Sequence, residues 1–108
     1  MNSATATGNA VVVTVELFGM ARVHAGVNSF DLAVEDQASI AALLDALAEE
    51  CPRLMCNVLC RSDDGAVTVA EGYALNRNGL AFLSPDMNGP LDWRSGESLL
   101  LLSNQAGG

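Results

Sequence analysis

Residues 96–108 read GESLLLLSNQAGG. Ser98 to Leu102 is an apolar run of strand length behind a polar turn at Ser95-Gly96. Its leucines fall on both faces, and a strand that is apolar on both sides belongs in the middle of a sheet. Partner strands are therefore to be sought upstream. Beyond the run lie Gln105, Ala106, Gly107 and Gly108. Glycine adds nothing to a core and costs the most entropy to order. A Gly-Gly pair here is either frayed chain or a tail that another molecule grips.

The first partner strand is VVVTVELF, Val11 to Phe18. Val11, Val13, Val15 and Leu17 share one face by period two, which puts Phe18 on the other. GMARVHAG, residues 19–26, reads as a turn bracketed by glycines. NSFDLAVE follows, with Phe30, Leu32 and Val34 alternating against Asp31, Ala33 and Glu35. The two strands make a hairpin with one wet face. The period then changes, and Ile40, Leu43, Leu44, Leu47 and Cys51 form a helical stripe. Ser39 is the expected N-cap, and Pro52 ends the helix at Cys51. Residues 54–60 fit a continued helix or a short strand. Extended pieces are expected around Val67, Val69 and Tyr73 to Asn76, with a turn at Asn78-Gly79. One helix covers one face of such a sheet, so the opposite face is expected to leave apolar side chains exposed for binding.

Composition narrows the function classes. The chain has 108 residues, half of them hydrophobic and 5% aromatic, so one domain with an aliphatic core is expected. Residues 1–10 are expected to be a disordered leader, 11–103 the domain and 104–108 a flexible tail. Nothing approaches the roughly 20 apolar residues of a membrane span, and the start lacks the pattern of a signal peptide. No membrane association and a cytoplasmic location are the expectations. Thirteen acidic residues face five arginines and no lysine, for a net charge of −8. That balance lacks the basic footprint of a nucleic-acid binder. It suits either steering to a basic partner or simple solubility. Cys51, Cys56 and Cys60 are odd in number and match no common metal spacing, so free thiols and no metal site are expected.

The order of these pieces resembles the MoaD/ThiS family of ubiquitin-like sulfur carriers. VELFGMARVHAG (15–26) is similar to that family's first strand, with its Phe, an Arg four residues on and a following Gly. ASIAALLDALAEECPRL (38–54) is similar to its helix and following Pro, and YALNRNG (73–79) to its short strand ending in Asn. LDWRSGESLLLL (91–102) and the terminal AGG complete the likeness, with residues 55–72 longer than in minimal members. The resemblance implies an α+β ubiquitin-like β-grasp fold: a mixed sheet of four to five strands with one main helix on one face. It further implies a protein co-substrate rather than an enzyme, or the small subunit of a sulfurtransferase. Gly108 would be adenylated by a ubiquitin-activating-enzyme-like partner that uses ATP, and then converted to a thiocarboxylate. A sulfur-accepting synthase subunit would receive the sulfur, with molybdopterin synthesis the leading pathway and thiamine synthesis another. No cofactor would be held permanently.

Gly107 and Ala106 would let the tail thread a narrow channel, where a Cβ on Gly107 would clash. Gln105, Leu100 and Leu102 would touch the partner. Phe18 is a docking residue on the open face or is covered by the middle loop. Arg22 is a turn residue with a local carboxylate partner, or a partner contact. His24 is expected in a loop, and Trp93 anchors the loop before the last strand. Three rival functions stand beside the carrier. They are a non-carrier β-grasp interaction module, a ubiquitin-like protein modifier and a small cysteine enzyme, the last lacking a base beside its thiols.

Overall fold

The computed structural model describes residues 10–84 and 89–103. The expected tail, 104–108, and all of the expected leader except Ala10 lie outside these residues.

β1 (Ala10–Leu17) and β2 (Ser29–Glu35) are antiparallel, with Val13 opposite Leu32 and Val15 opposite Phe30. β-branched residues at alternate positions fill the inner face of β1, and Val13, Val15 and Leu17 are buried there. α2 (Ile40–Glu50) follows, capped by Ser39, whose Oγ accepts the Ala42 N–H at 3.2 Å. Its buried stripe of Ile40, Leu43, Leu44 and Leu47 lies over the inner face of the sheet, as the period of the sequence required. After Pro52 the chain makes one 3₁₀ turn, Pro52–Leu54.

The ambiguous middle resolves into two hairpins. β3 (Leu59–Arg61) and β4 (Val67–Val69) form a separate two-stranded sheet. β5 (Tyr73–Arg77) and β6 (Ala81–Leu83) turn through Asn78 and Gly79, both at positive φ (60° and 75°), as a tight hairpin demands. β7 (Ser98–Ser103) closes the main sheet, whose order is β2-β1-β7-β5-β6. β7 runs parallel to β1 and antiparallel to β5. It is the central strand, as its two apolar faces foretold. The result is the α+β β-grasp arrangement: a mixed five-stranded sheet with one main helix on one face.

One expected turn is a helix. Residues 20–25 form α1 (Met20–Ala25), so Arg22 and His24 are helical rather than turn or loop residues. Ala21 and Ala25, four apart, are its buried face, and Gly26 ends it in the left-handed conformation (φ 80°). A short helix whose inward side chains are alanines carries almost no hydrophobic period, so the bracketing glycines dominated the reading.

Candidate docking face and tail exit

The face of the sheet away from α2 is built by strand alternation. In β1 and β7 the odd-numbered residues point to the core, which leaves Phe18, just past β1, and Leu100 and Leu102 on the opposite side. The register aligns Glu16 with Leu100, Leu100 with Asn76, and Asn76 with Phe82 across four strands. Leu102 pairs with Ala74 in the next row. Phe18 joins that row through its N–H, which donates to the Leu101 carbonyl at 3.0 Å. Phe18 is 39% exposed and Phe82 68%, while Leu100 and Leu102 are half-buried. The outcome is an apolar patch with no covering element among the described residues. The middle residues fold into hairpins elsewhere and do not roof Phe18.

Asn76 lies in the middle of this patch and is 6% exposed. Its Oδ1 accepts no hydrogen bond. A buried amide oxygen without a donor costs on the order of 1–3 kcal/mol relative to a satisfied one.

The tail leaves β7 at Ser103, next to the junction of β1 and α1. Gly19 there has φ 61°, and a Cβ on it would come within 3.0 Å of the Ser103 Cβ. Phe18 and Arg22 line one hollow of about 340 Å³ with Glu16 and Asn28. Arg22 forms no ion pair among the described residues, contrary to the expected carboxylate partner.

The entry to β7 is held by a polar cluster around Glu97. Arg77 Nε donates to Glu97 Oε1 at 2.6 Å and Arg77 Nη2 to Oε2 at 3.0 Å. Asn78 Nδ2 and the Arg94 N–H also donate to Glu97. These donors, Arg77 foremost, hold the Glu97 carboxyl down to about 2, against an ordinary 4.5. Arg77 also donates to the Asp92 carbonyl and stacks 4.3 Å above the ring of Trp93. Trp93 is buried, and its Nε1–H donates to the Ala38 carbonyl at 3.0 Å, tying the last loop to the start of α2. That is the anchoring part expected of it.

The structure thus brings Phe18, Arg22, Leu100 and Leu102 to one side of the molecule, beside the point where the tail departs. Gln105, Ala106, Gly107 and Gly108 lie outside the described residues. Asn76 and Phe82 were missed as site residues. Part of the signal was present, since alternation sets Asn76 on the face opposite Leu75, but its neighbours Leu100 and Phe82 depend on sheet order. The cysteines do not converge, Cys51 being buried and Cys56 and Cys60 exposed. No group of three His, Cys, Asp or Glu side chains among the described residues could hold a metal. Nor is any described helix long and apolar enough to cross a membrane.

No protein-family model matches the chain, and no curated protein matches it by sequence. Solved structures do match. Small archaeal modifier protein 1 (SAMP1) from Haloferax volcanii shares 26% identity over 90% of this chain and 99% of its own, with a TM-score of 0.66. SAMP1 from Methanosarcina acetivorans aligns at 19% identity over 94% of this chain and 100% of its own, with a TM-score of 0.68. The HVO 2177 protein of Haloferax volcanii aligns at 20% identity over 99% of this chain and 94% of its own, with a TM-score of 0.62. The two SAMP1 proteins are ubiquitin-like β-grasp proteins related to the MoaD/ThiS carriers, and the present chain shares their fold.

Proposed function

We propose that this chain is a ubiquitin-like carrier whose Gly108 carboxylate is activated by a partner enzyme and passed on as an acyl group or as a thiocarboxylate. The observation that carries the reading is the open face of Phe18, Leu100, Leu102 and Phe82, which spans the end of β1, β7 and β6, with β7, the strand that precedes Gly107-Gly108 in the sequence, at its centre. A carboxylate is a poor electrophile. Its oxygen attacks the α-phosphorus of ATP on a ubiquitin-activating-enzyme-like partner, and pyrophosphate leaves. A sulfide-equivalent nucleophile then attacks the acyl carbon and AMP departs, leaving the thiocarboxylate. The open face supplies the docking area, and Arg22 supplies a charge beside the tail exit. Delivery of that sulfur to a synthase subunit, with molybdopterin synthesis the first pathway to examine, completes the carrier reading.

A second reading has its own support, since the neighbours at 26% and 19% identity are named as modifiers. There a lysine amine on a target attacks the same acyl-adenylate in place of sulfur. The present chain has no lysine, so it cannot build lysine-linked chains of itself. Intact mass spectrometry after incubation with the cognate activating enzyme, ATP and sulfide distinguishes the fates. The carrier gains the mass of one oxygen-to-sulfur exchange, mapped to the C-terminal peptide, whereas the modifier appears joined to target lysines. If a competent partner yields neither product nor an adenylate, the chain is an interaction module only.

A further inference from the structure

We propose that the outer edge of β2, with the groove between it and α2, is a second recognition site. It takes an extended peptide segment of a partner as an added strand, one that carries basic residues on either side of a short apolar pair. The site is separate from the Phe18 face and does not depend on the chemistry of Gly108.

β2 is an edge strand, and its pairing with β1 is unbroken over seven residues, without proline, glycine or bulge. Edges of this kind are normally blunted, because their free backbone groups template another strand. Which groups are free follows from the ladder. Leu17 N–H bonds the Asn28 carbonyl at 2.9 Å, and bonded pairs alternate along an antiparallel ladder. Phe30, Leu32 and Val34 therefore bond to β1. Asp31 and Ala33 turn N–H and C=O outward, and Glu35 turns its N–H outward. None of these groups has a partner among the described residues, whereas the Glu35 carbonyl is taken by the Ala38 N–H at 3.0 Å, which ends the free edge there.

Beside that edge runs a groove of about 280 Å³ floored by Val34, Ala38, Ala42 and Ala46. An added strand would lie roughly 4.8 Å from β2, alongside alanines too small to obstruct it. Its residues opposite Leu32 and Val34 would face this groove and should be apolar. Those opposite Asp31 and Glu35 would share the other face with two carboxylates and should be basic, as opposite charges in cross-strand pairs attract. The ligand pattern is thus basic, apolar, any, apolar, basic.

Charge also decides between occupants. A second copy pairing antiparallel about Ala33 would set Asp31 against Glu35 twice, between two chains of net charge −8 each. Residues 1–9 of this chain, MNSATATGN, carry no basic side chain and cannot supply the flanks. A basic segment from a partner meets both requirements.

The test uses the full-length, isotope-labelled protein and two synthetic peptides, one with the core Lys-Val-Thr-Val-Lys and one with Glu-Val-Thr-Val-Glu. The lysine peptide is expected to give saturable amide shifts at Asp31, Ala33, Glu35 and Ala42, and to slow hydrogen exchange of the outward Ala33 N–H about tenfold or more. The glutamate peptide should bind at least about tenfold more weakly, and the double variant Asp31→Lys, Glu35→Lys should reverse that preference. Equal binding of both peptides would overturn the proposal. So would shifts confined to the Phe18 face, an unchanged Ala33 exchange rate at saturation, or dimerisation through β2 without peptide. Because Gly107 and Gly108 are untouched, failure here leaves the acyl-transfer reading to its own test.

Discussion

Asn76 and Phe18 show how a single position on a strand acquires its place on a face. Alternation placed Phe18 on the open face from sequence alone, since its neighbours Val13, Val15 and Leu17 had to face inward. It could not reveal that Asn76, in a different strand, ends up between Leu100 and Phe82. That adjacency is a matter of sheet order and register, which a single strand does not encode. The orphaned Asn76 oxygen leads to a prediction about stability. Asn76→Leu should leave the unfolding free energy in urea unchanged or raise it by about 1 kcal/mol, because a buried unsatisfied acceptor is removed. Phe18→Ser should weaken partner binding and leave the fold intact. A Phe18→Ser protein that fails to fold would mean that the ring serves the core.

Glu97 belongs to the same scale, and its carboxyl gives a pH dependence. It is held near 2 in the folded protein against an ordinary 4.5. A depressed carboxyl stabilises the fold above the unfolded value, and that contribution is lost as pH falls from about 4.5 towards 2. Discounted for solvent screening, the loss is roughly 1–2 kcal/mol. Denaturant midpoints measured from pH 6 to pH 2.5 should fall across that window, and Glu97→Gln should flatten this part of the profile.

At the scale of elements, legibility followed side-chain size and length. α2 was readable from its leucine stripe and from its cap. Ser39→Ala should cost about 1 kcal/mol through loss of the bond to the Ala42 N–H, read as a lower thermal midpoint. α1 was not readable, because its six residues bury alanines and the glycines at each end signal a turn. β3 was ambiguous between helix and strand at three residues, whereas β4 followed the extended piece expected at Val67 and Val69. Gly19 makes α1 more than a connector. Its positive φ and its approach to Ser103 join the start of the helix to the exit of the tail. Gly19→Val should therefore destabilise the domain by about 1–3 kcal/mol and slow acyl transfer as well. Gly65→Val, which meets nothing within 4 Å, should carry only the backbone strain and leave transfer unchanged.

At the scale of the whole molecule, the body and the tail have separable tasks. Glycine has no side chain to lose from a core, so changes at 107 or 108 are expected to leave the core of Val13 to Leu101 intact. Their thermal midpoints should match the parent protein within about 1 °C, far less than the several degrees that follow the loss of 1 kcal/mol in a domain of this size. Reactivity should behave in the opposite way. In the proposed function, docking through the Phe18 face would fix the distance between the body and the bound nucleotide, so the acyl carbon would be positioned by the number of residues after Ser103. Deleting Gly108, or adding one residue after it, shifts that carbon by about 3.3–3.6 Å. A misplacement of even 1 Å can cost on the order of 100-fold in rate. Gly107→Val keeps the length but adds a side chain where the backbone must pass close to the partner. All three variants should fold, should bind the activating enzyme through the open face nearly as well as the parent, and should form no adenylate above about 1% of the parental rate. Pyrophosphate release reads the adenylation, and calorimetric titration reads the docking. Normal adenylation by the shortened chain would show that Gly108 is not the reacting residue. Loss of docking together with adenylation would show that the tail, and not the sheet face, holds the partner.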